Sequence, residues 1–452
     1  MSFERENEME NDGLKKAIGL GGAFSTVVGT VIGAGVFFKI AAMVKVTGSA
    51  NLALLAWIFA GIFTIAGGLC VAELATAIPE TGGAIRYLDR TYGKLWGFLF
   101  GWIQMLIYFP ANIAALGVIW STQFINLFHL SSQLLIPIAF MVSLTVLGIN
   151  LLGTRLATGA QSIFTILKLI PLGLIVLFGL FSKGEVTVSL LPITSGENIG
   201  IIGGLGAAIV ASMFAFDGWL GLGNVAGEMK RPEKDLPKAI IIGLSAIAII
   251  YVLISYVFLK FMPIDQISGN QNAASEVAQM IFGQQGGKIV TIGILISVYG
   301  AFNGYTFTAI RVPYTLALQN QLPFSKKLSQ LNRFAIPTWS AVLIMAIAML
   351  MMTLGSFDLL SNLAIFVTWT FSLLLFIAIF ILRRREPELE RPYKVTFYPV
   401  VPIIAICGAL YIMFSTLFQE TILALIGIGA TIAGIPVYYF VQYREKQKIN
   451  QD

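Results

Sequence analysis

The stretch Val31-Ile32-Gly33-Ala34-Gly35-Val36-Phe37 interrupts an apolar run that extends from about Leu14 to Val44. Glycine gives up more backbone entropy in a helix than any other residue and costs about 1 kcal/mol there relative to alanine. Two glycines astride Ala34, within a run of membrane length, predict a helix that opens at this point. A second fault of the same kind lies at Phe214-Ala215-Phe216-Asp217-Gly218-Trp219. Backbone freed from a helix persists in lipid only where protein or a wet cavity encloses it. Breaks at corresponding places in two halves of a chain therefore mark a substrate site.

The composition agrees with membrane residence. Of 452 residues, 57% are hydrophobic and 12% charged, against about half and about a quarter in a soluble domain. The mean hydropathy is +0.84, so the chain reads as an all-α polytopic membrane protein whose first partner is the lipid bilayer. Cys70 and Cys407 both sit in apolar segments and suggest neither a disulfide framework nor a metal site. The lone histidine, His129, falls in a short loop. No cofactor is expected, and an enzyme would need a nucleophile–base pair or metal cluster that this residue inventory does not offer. The acid-rich stretch from Met1 to Asp12 lacks the basic start and cleavage site of a signal peptide, so the first segment should act as its own membrane signal.

Runs of about twenty apolar residues, enough for ~30 Å of hydrocarbon, occur at 14–44, 51–78, 95–121, 134–152, 160–182, 199–227, 237–262, 288–319, 338–354, 358–383, 400–418 and 421–441. These predict twelve transmembrane segments. The breaks fall in segments 1 and 6, a period of five. Five is odd, so the second copy must enter the membrane from the opposite side. The expected organisation is a tail at 1–13, a first repeat at 14–182, an inverted second repeat at 199–383, two appended segments at 400–441 and a tail at 442–452. Lysine and arginine set the orientation. Lys15, Lys16, Arg86, Arg90, Lys94, Arg155, Lys230, Arg231, Lys234, Lys238, Lys326, Lys327, Arg333, Arg383, Arg384, Arg385, Arg391, Lys394, Arg444, Lys446 and Lys448 would face one side. Lys39, Lys45, Lys183, Lys260 and Lys288 would face the other. This bias puts both termini in the cytoplasm. The net charge of +6 then follows from topology, and nucleic-acid binding need not be invoked.

An opened helix offers two ends. Carbonyls near Val31 and Ile32 lose their partners and carry partial negative charge, while the amides of Ala34, Gly35 and Val36 point free donors at the gap. The second break adds carbonyls of Phe214, Ala215 and Asp217. Such ends suit an ammonium and a carboxylate together, hence a zwitterion. The bland alternative for the first break is a Gly29-x-x-x-Gly33 packing motif. Lys168 stands about 16 Å deep at 1.5 Å per residue, too far for simple snorkelling. An ionisable group at that depth wants a partner, and the freed carbonyls of segment 1 are the obvious one. Structural anchoring and a coupling role both fit. Asp217 reads as a cap for the second half-helix or as a proton-titrating site. Phe214 and Trp219 read as a gate or as packing, and Glu73 as a structural partner of basic residues at the inner ends. The charged run 227–237 reads as a solvated face, and 271–282 as a short surface helix over the entrance.

The strings Thr30-Val31-Ile32-Gly33-Ala34-Gly35-Val36-Phe37, Ala72-Glu73-Leu74 with Pro79-Glu80-Thr81-Gly82-Gly83, and Phe214-Ala215-Phe216-Asp217-Gly218-Trp219 resemble the amino acid–polyamine–organocation superfamily. Gly227-Glu228-Met229, Arg231-Pro232, Leu236-Pro237, Asn303-Gly304, Arg311, Leu322-Pro323 and Pro387-Glu388-Leu389-Glu390-Arg391-Pro392-Tyr393 extend the likeness over the whole chain. Within the superfamily the chain is similar to the L-type amino acid transporters and their bacterial exchangers of small neutral amino acids. The resemblance implies a five-plus-five inverted repeat and alternating access at the plasma membrane of a bacterium. It implies a substrate carboxylate on the amides of Ala34 and Gly35 and an amine on carbonyls at Val31, Phe214, Ala215 and Asp217. Phe214 becomes the outer gate, and Lys168 takes the place of a bound sodium ion. Obligatory exchange without sodium follows; a proton-coupled amino acid or polyamine carrier on the same scaffold is the alternative. Relatives often carry serine where this chain has Ala34, so no hydroxyl reaches the carboxylate here. The stretch 121–134 holds no cysteine, so no disulfide-linked heavy chain is expected.

Overall fold

A computed structural model of the chain describes residues 19–79, 83–153, 163–164, 167–188, 191–197, 199–221 and 229–449. The amino-terminal tail, the start of the fifth segment, the motif residues Glu80-Thr81-Gly82 and Gly227-Glu228, and the last three residues lie outside the described residues.

The first apolar run divides into α1 (Leu20–Val31) and α2 (Gly35–Thr47), bent by 50° across the break. Helix α3 (Ala50–Ala77) begins at Ser49, whose hydroxyl accepts from the Leu52 amide at 3.4 Å, as an N-cap does. A short helix, α4 (Ala84–Tyr92), precedes α5 (Lys94–Ile103), which runs through a π-turn at Gln104–Tyr108 into α6 (Phe109–Phe128). The π-turn has a cause in the sequence. Pro110 has no N–H for the Leu106 carbonyl, and the Phe109 amide reaches back to the Gln104 carbonyl instead.

The chain continues as α7 (Leu135–Leu151), α8 (Leu169–Phe181), α9 (Ile201–Met213) and α10 (Pro232–Phe261). After α11 (Ile264–Ile267) comes α12 (Ala273–Ala309), kinked at Gly283 with φ +73°. Then follow α13 (Arg311–Leu318), α14 (Ser325–Leu328), α15 (Thr338–Leu354), α16 (Phe357–Arg385), α17 (Val400–Gln419) and α18 (Thr421–Ile449). Among the described residues eight helices are long and apolar enough to span a membrane, or nine if the bent pair counts as one span. This is an all-α, multi-pass membrane protein.

Two groups of helices position the breaks. Helix α3 packs on α9 and α10, α1 on α10, and α2 on α9; α6 packs on α12, α15 and α16. The first group carries both breaks and the second surrounds it.

The structure corrects three boundary readings. The loop expected up to Pro237 is shorter, because α10 starts at Pro232, where a missing N–H costs nothing. Asp235, Leu236 and Pro237 are buried there, so only part of that charged run is a solvated face. Lys39, read as a loop charge, is a buried residue of α2. Lys260, also read as a loop charge, ends α10 and donates to the Leu180 carbonyl at 2.9 Å and the Ser182 carbonyl at 2.6 Å, closing the last turn of α8. The segment before Gly283 is helical as expected, and the Gln123 amide donates to the Gln271 carbonyl at 2.9 Å.

At the end of the bundle where α16 finishes, Glu73 is buried and receives two bonds from Arg383, at 2.9 and 2.6 Å, and one from the Val395 amide at 2.6 Å. A buried carboxylate tolerates that position only when paired in this way. Nearby, the Arg90 guanidinium donates to Glu386 and holds its carboxyl below the usual carboxylate range.

Candidate substrate site at two facing helix breaks

The first break occupies Ile32, Gly33 and Ala34. Ile32 is extended (φ −67°, ψ 107°), and Ala34 returns to helical angles as the cap of α2. The first bond of the new helix runs from the Phe37 amide to the Ala34 carbonyl at 3.1 Å. The amides of Gly35 and Val36 stand before it and have no acceptor within their own helix. The second break follows a short 3-10 turn, Phe214–Phe216. Asp217 is extended (φ −62°, ψ 158°) and Gly218 left-handed (φ +98°).

The two breaks lie against each other at two points, each requiring a glycine. A Cβ on Gly35 would fall 2.6 Å from the Ala215 Cα, inside any real contact distance. A Cβ on Gly218 would fall 3.0 Å from the Thr30 carbonyl oxygen. Gly33 differs: an added methyl meets nothing nearer than the Val31 carbonyl at 3.9 Å. Among the described residues nothing packs tightly on Gly33. The close approaches are what glycine provides here, more than looseness.

Side chains from other helices finish the frame. The Tyr251 hydroxyl, from α10, donates to the Ala215 carbonyl at 2.7 Å and lies 3.3 Å from the Val31 carbonyl. A hydroxyl has one proton, so the shorter contact takes it. One side chain thus touches the loosened carbonyls of both breaks. The buried Lys168 ammonium, just ahead of α8, donates to the Gly29 carbonyl in the last turn of α1. Asp217 turns toward the surrounding helices: its Oδ2 accepts from Tyr108 at 2.9 Å and Tyr305 at 2.7 Å. It ties the second break to the π-turn ahead of α6 and to α12.

Of the residues singled out in the sequence, Val31, Gly35 and Ala215 meet at the facing breaks, with Ala34 and Val36 in the cap and first turn of α2. Lys168 reaches the last turn of α1, just ahead of the same break. Phe214 sits apart, edge-on to Phe357 at 5.3 Å between ring centroids, and Trp219 packs on Trp369 at 5.7 Å. Tyr108, Tyr305 and Tyr251 escaped the sequence reading. Tyr251 lies within Ile249-Ile250-Tyr251-Val252 and reads as ordinary core. For Tyr108 a signal existed in Pro110, which forces the π-turn, and such turns gather at functional sites.

Comparison with known proteins identifies the family. The amino acid permease family matches residues 18–440. The serine/threonine exchanger SteT of Bacillus subtilis (strain 168) is 41% identical over 438 residues, covering 96% of this chain and 99% of that protein. The large neutral amino acids transporter small subunit 2 of Mus musculus is 30% identical over 449 residues, covering 97% of this chain and 83% of the relative. The mouse Asc-type amino acid transporter 1 is 27% identical over 449 residues, covering 97% and 84%. On a match that runs through both breaks and nearly the whole length, the chain belongs to the amino acid permease family.

Proposed function

We propose that this permease exchanges small neutral L-amino acids, serine and threonine foremost, by alternating access and without sodium. The observation that carries the reading is the abutment of two opened helices, one presenting amides and both presenting carbonyls, in a buried frame. A zwitterion needs both kinds of end within a few ångströms. The carboxylate would take the amides of Ala34, Gly35 and Val36. The ammonium would take carbonyls at Val31, Phe214, Ala215 and Asp217, where Tyr251 already shows that such oxygens accept. With Ala34 between the glycines, only backbone addresses the carboxylate. Lys168 would supply, on the Gly29 carbonyl, the fixed positive charge that a coupling ion supplies elsewhere, which is why sodium is not required.

Twelve segments fit this reading. The long helices, the bent pair and three shorter apolar helices (Leu169–Phe181, Ile201–Phe216 and Thr338–Leu354) supply them. The breaks then fall in the first and sixth, as an inverted five-plus-five repeat requires, with both termini in the cytoplasm of a bacterial cell. Three of twelve residues of α1 are buried, against ten of thirteen in α2, so α2 is the more tightly packed half of the first segment.

Counterflow in liposomes tests the proposal. Vesicles preloaded with unlabelled serine should accumulate labelled serine and threonine, unchanged when sodium is replaced by choline. Strong uptake into empty vesicles driven by a proton gradient would sink obligatory exchange and favour proton coupling.

A further inference from the structure

Lys39 carries a feature the substrate site does not use. Its side chain is fully enclosed (0% exposed), and its ammonium donates to Asp358 Oδ1 at 2.9 Å and to the Ser361 hydroxyl, both at the start of α16. Ser361 gives its own proton to the Asp358 carbonyl at 2.9 Å, leaving lone pairs for the lysine. The ammonium also stands 4.6 Å from the Phe357 ring centroid and 5.3 Å from that of Phe214. The other carboxylate nearby, Glu420, is held by the Asn362 amide at 2.8 Å. So α2, α16 and the Phe214 turn meet around one buried cation. Asp358, by contrast, is 39% exposed.

We propose that Lys39 and Asp358 form a charged latch on the face that Phe214 closes, and that the latch is energetically one-sided. The inference rests on the alternating-access reading. Opening this face separates α2 from α16 and hydrates both charges. In the closed state Asp358 already touches water, whereas Lys39 depends on its partner for compensation. Removing Asp358 leaves a buried, unpaired ammonium, which is strongly unfavourable and is relieved only by opening. Replacing Lys39 with an apolar side chain of similar length has the opposite sense. Methionine fills the same slot between Phe214 and Phe357, and the half-exposed Asp358 returns to water at little cost. One variant should open the face and the other should hold it shut.

A cysteine reporter reads this without substrate, so its failure and a failure of the exchange assay stay distinct. Ile365 is fully buried and one turn along α16 from Ser361, on the same face. In a Cys70→Ala, Cys407→Ala background, Ile365→Cys is labelled in nanodiscs with a soluble maleimide. Asp358→Asn is expected to raise the labelling rate about tenfold or more. Lys39→Met should label at or below the parent rate, and Lys39→Arg and Asp358→Glu, which keep the charges, within about threefold of it. Equal acceleration by both neutral variants would reduce the pair to ordinary packing and overturn the proposal. So would an unchanged rate in Asp358→Asn, or acceleration by Asp358→Glu matching it. Monodisperse elution and an unshifted melting midpoint separate opening from misfolding.

Discussion

The two helix breaks look alike in sequence and are built on different principles. The first is a bend of 50° at Ile32-Gly33-Ala34 whose own side chains are small or apolar; its polar donor, Lys168, comes from elsewhere, while Tyr251 gives its proton to Ala215 of the second break and only stands near Val31. The second supplies its own charge, Asp217, and spends it on Tyr108 and Tyr305 in the surrounding helices. A break anchored by a carboxylate to two neighbouring helices is a fixed wall. One held by donors to backbone oxygens can shift by exchanging single hydrogen bonds, each worth about 0.5–1.5 kcal/mol net. Under the proposed alternating access, the first break is expected to be the part that moves and the second the part that stays.

The largest expected effect comes from the point where the two touch. Gly35→Ala places a methyl 2.6 Å from the Ala215 backbone, and backbone cannot rotate aside as a flexible side chain would. The breaks must separate by about an ångström, a displacement that costs a reacting site roughly 100-fold. Serine counterflow should fall by that factor while the protein still elutes as one species. Wild-type exchange in Gly35→Ala would mean that the breaks do not need contact.

How much of this was legible in the sequence follows from which forces are local. An all-α membrane class needs only hydropathy, and both breaks follow from glycine and proline-free local chemistry. Pairing of Glu73 with a basic residue, and of Lys168 with a carbonyl of the first segment, followed from the cost of burying a lone charge. Residues whose meaning is long-range were missed. Lys39 sits four residues past Gly35 and reads as an end-of-segment charge; its partner Asp358 is 319 positions away. Tyr251 and Tyr305 read as core because an aromatic ring is equally at home there, and only the fold shows where each hydroxyl goes. Gly35 reads in the sequence as a helix breaker; its close approach to Ala215 across the gap is invisible along the chain.

Lys168→Ala probes the first break from the last turn of α1. The substitution leaves the Gly29 carbonyl without its donor and removes the buried charge. An unsatisfied buried acceptor costs about 1–3 kcal/mol, so exchange should drop about tenfold or more at saturating serine. Helix α8, whose packing does not run through the ammonium, should keep the melting midpoint nearly in place. Unchanged exchange would return Lys168 to a purely structural role and weaken the case that donors to backbone oxygens set the first break.

The smallest effect is expected at Gly33, and it is the one that separates contact from flexibility. Its φ is not left-handed, and among the described residues an added methyl meets nothing nearer than 3.9 Å, so alanine fits the conformation described here. Gly33→Ala should therefore leave serine exchange within about threefold of the parent, against the roughly 100-fold loss in Gly35→Ala, although the substitution is the same and two residues away. Equal losses at both positions would contradict a contact-based role. Gly33 would then have to visit, during the transport cycle, a region of φ and ψ closed to residues with a Cβ. The first break would be a hinge in its own backbone, and the donors around it would follow its motion instead of directing it.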